Sequence, residues 1–276
     1  MVVLALAVSA GLHAAINERC DNLLQQALEN KNPDTRKQAV AALSLAETGD
    51  PAFAKLEGML QDKDVQVRQA VVASLADVKT AGARAALRQA LNDDVPEVSF
   101  AAAKALWALH DPAGEEALLA VLGREAKTSS NYISKQKRDA LRMLHTPRVL
   151  FFYLMQQGVG FAPVPGLGQG ISSMQALLTD PGTSGRATAA LLLGTDKSKA
   201  MLDPLKEALL DKDWSVRAAA VHSLALRDDP ALEKDLEYML DDEKEAVRLR
   251  AAAGILRLSA IAEKQAQKKQ ADKAAN

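Results

Sequence analysis

One short stretch recurs along this chain and limits what it can fold into. Its clearest copies are Asp62-Lys63-Asp64-Val65-Gln66-Val67-Arg68-Gln69-Ala70, Asp211-Lys212-Asp213-Trp214-Ser215-Val216-Arg217-Ala218-Ala219 and Asp241-Asp242-Glu243-Lys244-Glu245-Ala246-Val247-Arg248-Leu249. In each, an acidic turn leads into Val-Arg and then into an alanine-rich apolar run. Arg186, Arg217 and Arg248 are spaced by 31 residues, and Arg36 and Arg68 by 32. A period in this range is the mark of a repeat array built from one supersecondary unit.

The runs on either side of each turn carry helical stripes. Leu23, Leu24, Ala27 and Leu28 form the first, and Val40, Leu43 and Leu45 follow the break at Asn32-Pro33-Asp34. In the second unit, Asp50-Pro51 is a helix start, with an N-cap residue followed by Pro at the first helical position. Phe53, Leu56, Met59 and Leu60 line its first helix, and Val67, Val71, Leu75 and Val78 line one face of its second. The third unit has Ala83, Leu87 and Leu91, but Ser99 stands where the other copies have Arg. The fourth begins after Leu109-His110-Asp111-Pro112, with Leu118, Leu119 and Leu122 inward and a second helix at Arg138, Leu141 and Leu144. Leu144-His145-Thr146-Pro147 echoes that start, so a fifth unit should begin at Arg148; its second helix, Arg186 to Leu193, is displaced far along the chain. The sixth and seventh units are regular, with Leu205, Leu209, Leu210, Val216, Ala220 and Leu224 on the apolar stripes, then Leu232, Leu236, Leu240, Val247, Ala251, Ile255 and Leu258.

A single helical hairpin cannot bury both of its stripes, whereas stacked hairpins can. The expected fold is therefore all-α, an α-solenoid of about seven helical hairpins. Composition agrees: hydrophobic residues make up 48% and aromatics only 4%, so the core is Ala, Leu and Val, which favour closely packed helices. The expected organisation is residues 1–15 as a signal peptide or N-terminal apolar helix, 16–262 as the solenoid with an insertion near 148–170, and 263–276 as a polar tail, frayed or disordered.

The motif Asp-x-Asp-x-x-Val-Arg-x-x-Ala, with a Leu four to five residues later, resembles the HEAT-repeat family. Its short period resembles the compact bacterial subtype named after phycobilisome-lyase repeats. The resemblance implies a ladder of polar contacts between neighbouring repeats, carried by Asp64 with Arg68, Asp213 with Arg217 and Asp242 with Arg248. These are structural roles: the acid caps a helix and the long Arg spans to the next turn.

The sequence offers little catalytic chemistry. The four histidines, His13, His110, His145 and His222, show no metal-ligand spacing. No His-Glu dipeptide occurs, which argues against the iron hydroxylases that resemble this architecture. His110 and His145 are read as helix C-terminal residues. Gly166-x-Gly168-x-Gly170 follows Pro163 and Pro165, not a strand, so it is no dinucleotide loop. The single cysteine, Cys20, reads as a small buried helix residue. No cofactor and no catalytic or metal-binding residue is expected. With 34 basic and 35 acidic residues, no global field draws in nucleic acid, so that partner is disfavoured; Trp214 reads as a packing residue.

Two stretches stand apart. Met1 to Asn17 lacks charged side chains and resembles a signal peptide, with Val8-Ser9-Ala10 or Leu12-His13-Ala14 as cleavage candidates but no preceding positive residue. Export to the periplasm or cell envelope is the leading expectation, and a first buried helix of a cytoplasmic protein the alternative. Val149 to Thr179 has no charged residue across 31 positions and holds Phe151, Phe152, Tyr153 and Phe161. It is either a buried plug or an exposed patch for a partner. The function expected is a non-enzymatic scaffold that binds another protein, with candidate contacts at Phe151, Phe152 and Phe161; residues 149–170 and the N-terminus are the two stretches suited to touching a membrane. The alternative is a HEAT-type enzyme such as a phycobilin-lyase-like protein.

Overall fold

The computed structural model describes residues 2–46, 50–78, 80–121 and 185–275. Among them are twelve α-helices, several extended by short 3-10 turns, and no strand. They run α1 (Val2–Leu28), α2 (Pro33–Leu43), α3 (Asp50–Gly58), α4 (Val65–Val78), α5 (Ala81–Ala90), α6 (Pro96–Ala108), α7 (Pro112–Val121), α8 (Gly185–Gly194), α9 (Leu202–Ala208), α10 (Trp214–Ala225), α11 (Glu233–Glu237) and α12 (Glu245–Ala275). The all-α solenoid expected from the period is the observed architecture. No helix among the described residues is long and apolar enough to cross a membrane.

The helices fall into two compact units, Phe53–Ser173 and the two chain ends together, Met1–Ala52 with Met174–Asn276. In the first, α4 packs against α5 and α6, and α6 against α7. Val67, Val71 and Leu75 of α4 are fully buried, as are Ala83 and Leu87 of α5 and Val98, Ala102 and Leu106 of α6. The helices approach closely where Gly114 of α7 meets α6: a Cβ there would lie 2.3 Å from the Trp107 backbone nitrogen.

In the other unit, α8 packs on α10, α10 on α12, and α12 on both α1 and α2. The N-terminal hairpin thus stacks on the C-terminal one, as the next repeat in the row. Cys20, Leu24, Val40 and Ala42 are buried on the N-terminal side of the unit, and Val247, Ala251, Ile255 and Leu258 on α12. Polar contacts fix the register. Asn17 Oδ1 accepts from Ser259 Oγ at 3.0 Å, Thr35 Oγ1 donates to Glu245 Oε2 at 2.9 Å, and Arg257 Nη1 donates to the Leu45 carbonyl at 3.3 Å. The C-terminal tail continues α12 as helix to Ala275, with residues 263–273 exposed. Its Ala, Glu, Gln and Lys are strong helix formers with no Gly or Pro to end the helix, so it remains helical without an apolar stripe.

Candidate functional site

The recurring turns follow one plan. Six residues before each Arg stands an Asp or Asn whose side chain accepts the backbone N–H two residues on: Asp62 from Asp64 at 2.8 Å, Asp211 from Asp213 at 2.8 Å, Asp242 from Lys244 at 2.8 Å and Asn30 from Asn32 at 2.9 Å. Four residues before the Arg, a second side chain caps the helix. Asp64 accepts from Gln66 N at 2.9 Å and Val67 N at 3.2 Å, Asp213 from Ser215 N at 2.9 Å, and Asn32 from Asp34 N at 2.9 Å. These short polar side chains satisfy N–H groups that a helix start leaves without intrahelical partners.

The Arg then closes the turn and reaches onward. Arg68 Nη1 donates to the Asp62 carbonyl at 2.8 Å, and Arg217 Nη1 donates to those of Asp211 and Lys212 at 2.8 and 3.2 Å. With one edge of the planar guanidinium held, the other faces the next repeat. Arg68 Nε and Nη2 donate to the two Asp93 oxygens at 2.8 and 2.9 Å, and Arg217 Nε and Nη2 to those of Asp242 at 2.6 and 2.9 Å. Arg186 pairs with Asp211 in the same sense. Both arginines of the bidentate pairs are raised further above their usual range by the side-chain hydrogen bond to the facing carboxylate. Burial would raise the Asp242 carboxyl, but Arg217 and the Lys244 N–H outweigh it and hold the group below the usual carboxylate range.

The ladder is real, but its pairs differ from those expected. Asp64 does not pair with Arg68, nor Asp213 with Arg217, because each capping carboxylate is turned to its own helix N-terminus. Asp242 receives Arg217 of the preceding repeat, while Arg248 holds only the backbone carbonyls of Asp242 and Glu243, at 2.7 and 3.2 Å. The partners of Arg68, Arg186 and Arg217 lie 25 residues on, in the next turn.

Where Ser99 replaces the Arg, its hydroxyl folds back on the Pro96 carbonyl at 3.3 Å. A different arginine spans to the next repeat there: Arg88 of α5 donates Nε and Nη2 to Asp111, between α6 and α7, at 3.2 and 2.7 Å. Asp111 also caps α7 through the Ala113 N–H at 3.1 Å. The Asp111-Pro112 signal was visible in the sequence; Arg88, outside the motif, was not. His110 sits just past the end of α6 with φ 55°, a left-handed residue that closes the helix, its N–H bonded to the Trp107 carbonyl at 2.9 Å.

Other titratable groups are tied into the packing. Burial pushes the Cys20 thiol up to about 12, which removes its nucleophilic form at neutral pH. Burial lowers Arg250 to about 10, and its Nη1 donates to the Ala246 carbonyl at 2.9 Å. Glu233 is raised by burial, against the opposing effect of His13, whose Nδ1 lies 3.0 Å away. Among the described residues no group of side chains is placed to hold a metal ion. A groove of about 420 Å³ runs between the turns at Asp62 and Asp93, lined by both carboxylates with Arg68, Gln61, Gln89 and Asn92. Its charged floor is the Arg68–Asp93 rung itself. Large apolar side chains stand exposed at Trp107, Leu210 and Tyr238, the last two about four-fifths exposed (84% and 79%); Leu210, expected on the apolar stripe of its hairpin, lies past the end of α9 at Ala208 and turns outward instead. Trp107, at the end of α6, is half-exposed. Phe151, Phe152 and Phe161, with the rest of Val149 to Thr179, Arg138 and His145, lie outside the described residues.

The model of a family described as HEAT repeats matches residues 2–76, 54–133 and 173–257. No curated protein matches the sequence. Among solved structures, human deoxyhypusine hydroxylase is similar at 20% identity and a TM-score of 0.33, over 90% of this chain and 98% of that one. An engineered protein is similar at 18% identity and a TM-score of 0.25, over 87% of this chain and 68% of its own. A designed armadillo-repeat protein follows at 17% identity and a TM-score of 0.22, over 86% and 98%.

Proposed function

The chain belongs to the HEAT-repeat family, and from that premise we propose that it is a non-enzymatic scaffold that binds another protein. The observation that carries this reading is how the ladder uses its charges. The motif's capping Asp side chains are engaged by helix N-termini and the Arg68, Arg186 and Arg217 guanidinium groups by neighbouring turns, so they hold the repeats in register. That leaves the outer surface of the hairpins to make contacts, as repeat arrays do through extended rigid faces. Leu210 and Tyr238, exposed after the first helices of successive hairpins, join Phe151, Phe152 and Phe161 as candidate contacts. Tyrosine is among the residues enriched where interface energy concentrates, and an exposed leucine adds apolar area to bury.

The short period supports placement in the compact, phycobilisome-lyase-like subtype. If the protein were a lyase of that kind it would carry pigment when purified from its source, and visible absorption would show it. The uncharged N-terminus supports export; fractionation of the tagged full-length chain and its intact mass test that, and a full-length cytoplasmic product overturns it.

The scaffold reading is tested by capture followed by reconstitution. A protein that co-purifies with the tagged chain should bind it again from purified components, measured by calorimetry. Replacing Phe151, Phe152 and Phe161 together by Ser, and separately Leu210 and Tyr238 by Ser, should weaken that binding at least tenfold in one set. Each set must leave the circular dichroism melt unchanged. If both sets bind as the parent does, the contacts proposed here are wrong; if no protein rebinds, the scaffold reading is.

A further inference from the structure

One rung of the ladder lacks its acidic half. The packing of α12 on α1 and α2 is the same kind of junction as that of α4 on α5 and α6, or of α8 on α9 and α10. At the α4 junction the leading arginine meets Asp93, and at the next two junctions in the other unit the leading arginine meets Asp211 and Asp242. At the α12 junction the leading arginine is Arg248, and the residue at the receiving position is Asn30.

Asn30 does the local work of the aspartates, since its Oδ1 accepts the Asn32 N–H at 2.9 Å, as Asp93 accepts that of Val95 at 2.8 Å. Its neutral carboxamide offers no carboxylate to a guanidinium. Arg248 is nevertheless held as Arg217 is, with Nη1 on two turn carbonyls at 2.7 and 3.2 Å, against 2.8 and 3.2 Å for Arg217. Because the guanidinium is planar, that anchorage fixes the edge formed by Nε and Nη2. Among the described residues no carboxylate accepts from that edge of Arg248. The acids nearest in sequence are engaged, Glu29 by Gln25 and Glu245 by Thr35. Arg248 is half-buried where Arg68 and Arg217 are buried, and Lys31 and Lys244 beside the two turns are exposed.

We propose that Arg248 and Asn30 form an open rung that takes the carboxylate of a glutamate or aspartate from a partner protein. The inference rests on the scaffold reading above and names the chemistry of its partner. The mode of binding is displayed twice in the same molecule, by Asp93 on Arg68 and Asp242 on Arg217. A carboxylate arriving at Arg248 accepts from Nε and Nη2 as those do, and the Asn30 amide, unlike the aspartates it replaces, has an N–H to donate to the same ligand. Arg supplies the fixed fork that such recognition needs, which Lys does not.

The test reads the Nε–Hε resonance of Arg248 in the nitrogen-15-labelled full chain, assigned by its loss in Arg248→Lys. Sodium acetate is titrated against sodium chloride at equal ionic strength, followed by blocked Ala-Glu-Ala against blocked Ala-Gln-Ala. The expected result is a saturable shift of Arg248 with acetate and with the Glu peptide, at lower concentration than any shift of the exposed Arg84, and none with the Gln peptide. In Asn30→Asp the new carboxylate should close the rung, moving the Arg248 resonance without ligand and abolishing its response. A response of Arg248 no stronger than that of Arg84, an unaltered response in Asn30→Asp, or saturation by acetate with none by the Glu peptide would each overturn the proposal. All three leave the scaffold reading standing, since that is decided by rebinding of the captured protein. If that protein binds Asn30→Asp as tightly as the parent, the open rung is not its site.

Discussion

Position within the turn decides what each acidic residue does. The Asp four residues before the Arg invites an i, i+4 pair with it on a helix surface. Its oxygens, however, point back along the helix to the first N–H groups, where a capping bond satisfies donors that have no other partner. The Arg, anchored by Nη1 on the turn carbonyls, can present its fork only along the stack. The receiving Asp242 has a largely covered side chain bonded to both fork nitrogens, and those bonds hold its folded carboxyl below its unfolded value of 3.8. A depressed carboxyl contributes stability that is fully present above its unfolded pKa and is lost as pH falls through the folded one. Asp242→Asn keeps a turn acceptor but loses the charge. We expect it to cost about 2 kcal/mol at pH 7, in line with hydrogen bonds to charged groups. The difference from the parent should shrink as the pH is taken below about 4, near the unfolded Asp value. Urea melts at pH 7 and pH 3 measure both; an equal cost at the two values would remove the ion pair from the account.

At the scale of helices, stripes of Leu and Val named most of the buried face, Leu210 past the end of α9 being an exception, but not how near two helices come. Gly114 decides that for α6 and α7. It reads in the sequence as a helix-weakening residue, and alanine there would ordinarily gain about 1 kcal/mol of helix propensity. In the fold an added Cβ would meet the backbone of Trp107, Leu106 and Ala103, at 2.3, 2.7 and 2.8 Å. Backbone atoms cannot rotate aside as a side chain can. Gly114→Ala should therefore destabilise by about 1–3 kcal/mol, the usual cost of overpacking, with the sign opposite to propensity. A thermal melt that rises in this variant would show that α6 and α7 are not so closely packed. The same reasoning applies to Arg88, which lies outside the motif: only the packing of α5 beside α6 brings it to Asp111.

For the chain as a whole, the period predicted stacked hairpins, and within each unit they are stacked; the order of the members was not in the period. The N-terminal hairpin follows the C-terminal one in the row, although over 200 residues separate contacts such as Thr35 with Glu245. Leu24 of α1 is fully buried in the unit that holds α8 to α12. Leu24→Ala should cost about 2–5 kcal/mol, as large-to-small core changes do. Hydrogen exchange should report the loss in α1, α2 and α12, while the amides of α4 to α6 keep their protection. Equal deprotection in α4 to α6 would mean that the two units do not open separately.

What the sequence determined by itself is the repeating unit. Local signals carry it: an Asn or Asp cap, a proline at the first helical position, and apolar residues at helical spacing, each acting within a few residues of itself. The HEAT-repeat family could be read from them, and so could the existence of a ladder. Only the tertiary structure decided which Arg meets which Asp, that Gly114 must be small, and that α1 and α2 lie on α12. The physical reason is common to all three. Every hairpin carries nearly the same apolar stripes, so burial favours stacking without naming the neighbour. The choice falls to contacts between residues far apart in the chain, such as Asn17 with Ser259 and Arg257 with the Leu45 carbonyl, which no local pattern encodes.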